Sequence, residues 1–228
     1  MPALTRLQLQ TRVSELINDT TNSQWTAAQI QERIQEAQET FVEDTHCLIS
    51  TTPLTVVSGT RTYTLTSTYV LDIIRVSMSP YGVLRRVGEY DLDQMYPGQD
   101  YSLVTGQPQY YFYDATGTTN LLTLFPIPTA AYNGLTLSVQ YIVEPTAMSS
   151  DSDLPFNSQV ALNPYISAIA YNTAAQLLVA DNDPNKRTKA KDYIDFYKQS
   201  VSECIETFNA LRETTPMRMR GGRYFKGL

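Results

Sequence analysis

The apolar residues of this chain keep a helical period at both ends and a strand period in between, and that change of period restricts the fold more than any motif does. Residues 3–19 carry Leu9, Val13, Leu16 and Ile17 on one stripe, closed by Asn18–Asp19. After a polar loop, Thr20–Gln24, Thr26 and Gln29 have the spacing of a capping box, with Trp25 and Ile30 placed as a hydrophobic staple. Ile30, Ile34, Ala37 and Phe41 then recur on one face, while Gln31, Glu32, Arg33, Gln35, Glu36 and Glu39 fall elsewhere. At Pro53 the period becomes that of a strand. Leu54–Val57 and Arg61–Leu65 read as a hairpin about Ser58-Gly59, and Val70–Met78 turns through Ser79-Pro80-Tyr81-Gly82 into Val83–Val87. Tyr90–Tyr96 has room for one helical turn before Pro97-Gly98. Gln109–Asp114 and Leu121–Phe125 read as a second hairpin. Leu135–Val143 alternates apolar and polar as a half-buried strand does.

Beyond the acidic loop Ser149–Asp153 the helical period returns, with Asn157 or Ser158 as a cap and Pro164 at a first helical position or a kink. Ile166, Ile169, Ala170, Thr173, Ala174, Leu177 and Leu178 make an apolar face rich in small residues, which lets another helix approach closely. Asp183-Pro184 starts a last helix. Its stripe runs Ala190, Tyr193, Ile194, Tyr197, Val201, Cys204, Ile205, Phe208 and Leu211. Neither helix pair can bury its stripe alone. The expected fold is therefore α+β: a four-helix bundle made by the N-terminal pair (1–52) and the C-terminal pair (149–213), with an antiparallel β-sandwich or barrel-like domain (53–148) inserted between them. Residues 214–228 are left as an extended tail.

That tail, TTPMRMRGGRYFKGL, holds four cations and no acid. The chain has 17 Lys and Arg against 23 Asp and Glu, a net charge of −6, so residues 1–213 carry −10 (13 cations, 23 acids). Pro216 and Gly221-Gly222 prevent a continuous helix. Met217, Met219, Tyr224, Phe225 and Leu228 are residue types that anchor in partner pockets, and Arg218, Arg220, Arg223 and Lys226 supply the charge. An acidic body argues against general adhesion to nucleic acid, because phosphate contacts need cations. No basic segment followed by an apolar run opens the chain, and no stretch approaches the roughly 20 apolar residues of a membrane span, so a cytosolic protein without a membrane partner is expected. Cys47 and Cys204 read as buried reduced thiols.

Reaction chemistry finds little support, and no catalytic, cofactor-binding or metal residue is expected. His46 is the single histidine; beside Cys47 it lacks the further ligands a metal needs. No phosphate loop, dinucleotide fingerprint or G-x-S-x-G elbow occurs. Asp91 with Asp93 suits a short helix start, and Asp151 with Asp153 a solvated loop before a helix. Arg85–Arg86 is expected on the wet face of a strand with Glu89 and Asp91 as partners. Lys186, Arg187, Lys189 and Lys191 form a basic cluster, either a solvated face or a patch for an acidic neighbour.

Five short motifs occur in a fixed order: Trp25-Thr26 followed by Glu36-Ala37-Gln38; Gly106-Gln107-Pro108 with Tyr110 and Tyr111; Leu124-Phe125-Pro126-Ile127-Pro128; Val139-Gln140-Tyr141; and Leu154-Pro155. With the helices, insertion and cationic tail so arranged, the chain resembles the head–tail adaptors of tailed bacteriophages, the tail tubular protein A group and the connectors beneath the portal. The resemblance implies a structural virion protein of the head–tail junction, made in the host cytoplasm. It implies a ring of copies, typically about twelve, under the phage portal protein, with genome DNA passing through a channel without sequence-specific binding. The partners implied are the portal, a downstream tail or nozzle protein and other copies of the chain. The tail residues 217–220, 223–226 and 228 would dock into the portal. Two other readings stay open from the residues: a β-sandwich module using tyrosines to stack on sugars, or a stopper or nozzle subunit; and a cell-wall hydrolase built on two carboxylates.

Overall fold

The computed structural model describes residues 4–65, 70–97, 100–114, 119–181 and 183–214, the side chains at 89, 101 and 210–214 excepted. The fold is α+β. Among the described residues there are five α-helices, α1 (Arg6–Ile17), α2 (Ala27–Thr45), α3 (Glu89–Met95), α4 (Ile166–Ala180) and α5 (Pro184–Thr214), and nine strands between α2 and α4. The chain divides into two compact units, Met1–Cys47 with Ala147–Leu228, and Leu48–Thr146.

In the first unit both N-terminal helices begin at capping boxes. Thr26 and Gln29 exchange backbone and side-chain hydrogen bonds (2.9 and 3.3 Å), as their spacing predicts, and Thr5 with Gln8 does the same for α1 (2.9 and 3.4 Å). The turn between α1 and α2 is organised by one carboxylate. Asp19 accepts from the backbone N–H groups of Ser23, Gln24 and Trp25 at 2.8–2.9 Å and from the Ser23 hydroxyl. These bonds, that from Trp25 foremost, hold its carboxyl at about 2 against an ordinary 3.8. Asp181, closing α4, is likewise held at about 2, first by Lys186 and then by Gln24 and the Asp183 backbone.

α4 is packed by α1, α2 and α5 together. Ile166, Ile169, Ala170, Thr173, Ala174, Leu177 and Leu178 are all buried, and so are Ala168 and Ala175. α5 packs along α4, with Tyr193 stacked on Tyr171 at 5.7 Å, and it buries Ala190, Tyr193, Tyr197 and Cys204. Its polar tips reach the other helices: Tyr197 Oη donates to Asp44 at 2.7 Å, and Tyr193 Oη and Lys189 Nζ both donate to the Leu16 carbonyl. Phe41 of α2 sits among the rings of Phe156, Tyr165 and Tyr197 at centroid distances of 5.4–6.2 Å.

The segment returning from the second unit is fastened to α2 by two glutamines. Buried Gln38 accepts from the Phe156 N–H (2.9 Å), and Gln35 accepts from the Met148 N–H (3.2 Å). The fastening holds an unusual backbone. Phe156, Asn157 and Ser158 have φ of 54°, 53° and 62°, three consecutive left-handed residues without a glycine. Asn157 and Ser158 thus belong to a turn rather than capping a helix. Pro164 lies inside the 3-10 turn Val160–Tyr165, and α4 begins only at Ile166.

In the second unit the strands are β1 (Ile49–Thr55), β2 (Thr62–Leu65), β3 (Val70–Met78), β4 (Gly82–Arg86), β5 (Thr105–Gly106), β6 (Tyr110–Asp114), β7 (Asn120–Phe125), β8 (Ile127–Pro128) and β9 (Thr136–Val143). Seven form one nearly closed, barrel-like sheet in the order β1-β9-β3-β4-β6-β7-β2; β5 and β8 pair separately. The interior holds Val56, Ile73, Met78, Leu84, Leu122 and Leu137 among others. The β3–β4 and β6–β7 hairpins form as their sequences predict, with Met78 opposite Gly82 and Tyr110 opposite Phe125.

Three expectations are corrected. β1 and β2 do not pair with each other: β1 lies against β9, and β2 against β7. The strand period begins ahead of Pro53, which sits within edge strand β1, where its missing N–H costs no ladder bond. The sheet is also not wholly antiparallel, since β4 runs parallel to β6 and β5 to β8. A parallel neighbour needs a long crossover, and α3 lies within it. There Leu92, Val87 and Phe125 make a small second core with Tyr96, Tyr110 and Phe112.

Gln38→Leu is expected to cost about 1–3 kcal/mol in urea unfolding, because the buried Phe156 N–H loses its acceptor. Both Asp19 and Asp181 have folded values depressed from 3.8 to about 2, so their contribution is present above the ordinary value and lost as pH falls towards 2. The melting temperature of the double variant Asp19→Asn, Asp181→Asn is therefore expected to fall less steeply over that interval than that of the parent chain.

Candidate interaction surfaces

The residues that chemistry most needs are occupied with structure. His46 is the left-handed C-cap of α2 (φ 51°), its N–H donating to the Val42 carbonyl at 2.8 Å. Cys47 and Cys204 are both buried and unbridged, as expected, and their thiols are in contact. The hydrogen bond with Cys47, and then burial, push the Cys204 thiol far up, away from the reactive thiolate. Asp91 accepts from the Gly88 N–H at the start of α3 (2.8 Å). Asp151 pairs with Arg6, and Asp153 accepts from the Ser150 and Ser149 N–H groups, which lower its carboxyl. Arg86 finds its acid in Asp72, at 2.7 Å across the sheet, rather than in Asp91. Among the described residues no group of three or more His, Cys, Asp or Glu is placed to hold a metal ion. No described helix is long and apolar enough to cross a membrane.

What the two units do present is surface. On the second unit, two grooves lie at opposite ends of the short β4–β6 ladder. One, of about 670 Å³, is lined by Arg86, Gly88, Asp91, Phe112, Tyr113 and Asp114. The other, of about 340 Å³, is lined by Tyr81, Val83, Arg85, Gln107, Pro108 and Tyr110. Tyr90 and Leu103 stand out of the crossover, each 74% exposed, and Tyr81 and Val83 are about half exposed at the β3–β4 turn. On the first unit Val160, Val179 and Phe196 are exposed, with Phe196 leaning on Tyr171 at 5.4 Å.

The basic cluster at the start of α5 splits in two. Lys186 is tied to Asp181 and Gln24, and Lys189 to the Leu16 carbonyl, so both hold the unit together. Arg187 and Lys191 stay exposed. The tail residues Met217, Arg218, Met219, Arg220, Arg223, Tyr224, Phe225, Lys226 and Leu228 lie outside the described residues.

Within each unit, several of the short sequence motifs turn out to be packing devices. Gly106 faces Pro126, whose Cβ would be 3.6 Å from an added side-chain carbon, while β5 and β8 pair beside them. Tyr110 and Tyr96 both contact the buried ring of Phe125. In the first unit Ala37 is fully buried, and Gln38 holds the residue that follows Leu154-Pro155. The motif Glu36-Ala37-Gln38 does not by itself assign Gln38 this role; a glutamine beside an apolar stripe is the signal that marks it.

A chain with apolar and charged outer faces, whose Asp91, Asp151 and Asp153 are committed to backbone and ion-pair partners, has the making of a protein-binding structural component. The family comparison gives the same class and specifies it. The model of the SU10 adaptor protein family matches residues 4–220, and the chain belongs to that family of phage head–tail adaptors. No curated protein matches the sequence.

Because Tyr90 and Leu103 are largely exposed, Tyr90→Ser combined with Leu103→Ser is expected to leave unfolding free energy within about 0.5 kcal/mol per site of the parent, as read by chemical denaturation.

Proposed function

We propose that the chain is the adaptor subunit of a ring, typically about twelve copies, set between the phage portal and the tail and surrounding the passage taken by genome DNA. The observation that carries this is the family match over residues 4–220, nearly the whole chain. It works by contact, not turnover. In this reading the four helices of the first unit stand as a bundle in the ring wall. The inserted β unit meets the downstream tail or nozzle protein through the exposed Tyr90 and Leu103. The acidic body, −10 over residues 1–213, faces DNA without gripping it, since it lacks the excess cation that phosphate binding requires.

Portal attachment falls to the tail. Met217, Met219, Tyr224, Phe225 and Leu228 bury as anchors, and Arg218, Arg220, Arg223 and Lys226 steer the peptide to acidic portal surface. A short peptide loses entropy on docking, but many tails on one ring engage together, so modest single-site affinity suffices.

The test removes residues 214–228 and measures binding to purified portal rings by sedimentation. The expected result is a body with unchanged melting temperature and no portal binding; undiminished binding refutes the role of the tail. Tyr90→Ser with Leu103→Ser is expected to retain portal binding and lose at least about tenfold in affinity for the downstream protein.

A further inference from the structure

Helix α2 carries a stripe of glutamates, Glu32 and Glu43 exposed and Glu36 and Glu39 half-buried. Glu32, Glu36, Glu39 and Glu43 recur at helical spacing on the side away from the buried Ile34, Ala37 and Phe41. Glu36 is held by Arg33 at 2.6 Å, and Glu39 accepts from Gln35. Glu32, Glu39 and Glu43 form no ion pair among the described residues.

α5 of the same unit carries a stripe of opposite sign. Arg187, Lys191 and Lys198 recur at helical spacing, all exposed, with half-buried Ile194 between them. None forms an ion pair among the described residues, and Asp195, a turn from both lysines, pairs with neither. The outermost members of the two stripes are the same eleven residues apart, a rise of about 16 Å along either helix. Aligned like charges cost each isolated helix a few tenths of a kcal/mol per pair. Attraction between the stripes offsets both costs where they meet.

We infer that α2 of one copy lies against α5 of the next, with Glu32, Glu39 and Glu43 facing Arg187, Lys191 and Lys198, and that this is the contact between neighbouring subunits. The inference rests on the ring reading above and names its interface. Symmetry excludes a simple two-fold pair at either stripe, because that would set glutamate on glutamate or cation on cation. The contact is heterologous, each copy giving one stripe of each sign, which is the arrangement that closes into rings.

The test uses the full chain, light and 15N-labelled copies mixed, at low ionic strength with portal rings present as template. A carbodiimide that joins amines to carboxyls without a spacer is expected to link Lys191 or Lys198 of a light peptide to Glu32, Glu39 or Glu43 of a heavy one. Reversing either stripe (Glu32→Lys, Glu39→Lys, Glu43→Lys, or Arg187→Glu, Lys191→Glu, Lys198→Glu) is expected to weaken self-association about tenfold by sedimentation, and mixing the two variants to restore it. Rings that form equally well from either reversed variant overturn the stripe contact and leave the ring reading standing. Links from Lys226 to the same glutamates give the stripe to the C-terminal tail and also overturn it. A chain that stays monomeric on portal rings removes the ring reading itself.

Discussion

Helix α4 has almost no polar side to offer water. Its isoleucines, leucines and alanines are buried around most of its circumference, so it is stable only while α1, α2 and α5 close around it. Two of those helices precede the β insertion and one follows it. Covering α4 therefore forces the two ends of the chain together and leaves the insertion free to fold as its own unit. Alanines along α4, with Ala37 buried on α2, allow the close helix approach that this needs. The return from the insertion is equally constrained. Gln38 spends its buried carbonyl on one backbone N–H, and Phe156 its ring on Phe41, and together they hold three left-handed residues that would not persist in isolation.

Charge is used in two distinct ways in the helical unit. Asp19, Asp153, Asp181, Lys186 and Lys189 are committed to backbone groups and to each other, fixing loops and helix ends. Glu32, Glu39 and Glu43, with Arg187, Lys191 and Lys198, form no ion pair among the described residues. An adaptor has to be stable as a subunit and still hold surface in reserve for neighbours, and this division supplies both. In the β unit the reserve is apolar, at Tyr81, Val83, Tyr90 and Leu103, and the parallel β4–β6 crossover is what brings the last two out to the surface.

Much of this architecture is legible in the amino-acid sequence. Thr26 and Gln29 announce a helix start because a capping box is satisfied within four residues, and the β3–β4 and β6–β7 hairpins are readable because their turns are local. The failed expectations share the opposite property. The β1–β2 hairpin has a local look in sequence, yet each strand finds a better partner far along the chain. Arg86 has two acids nearby in sequence and takes Asp72 instead. Pro53 reads as a strand breaker because an edge position cannot be recognised until the sheet order is known.

The amino-acid sequence by itself determined which stretches are helical and which extended, that the β block interrupts a helical unit, and that the body is acidic and the final segment cationic. Those properties follow from side-chain period, capping chemistry and composition, all of which act over a few residues. Only the tertiary structure decided which strands pair, that α4 is the helix the others surround, and which charges are consumed internally. Backbone N–H and C=O groups are alike in every strand and carry no address of their own. Their partners are chosen by the packing of faces that are distant in sequence and adjacent only once the chain has folded.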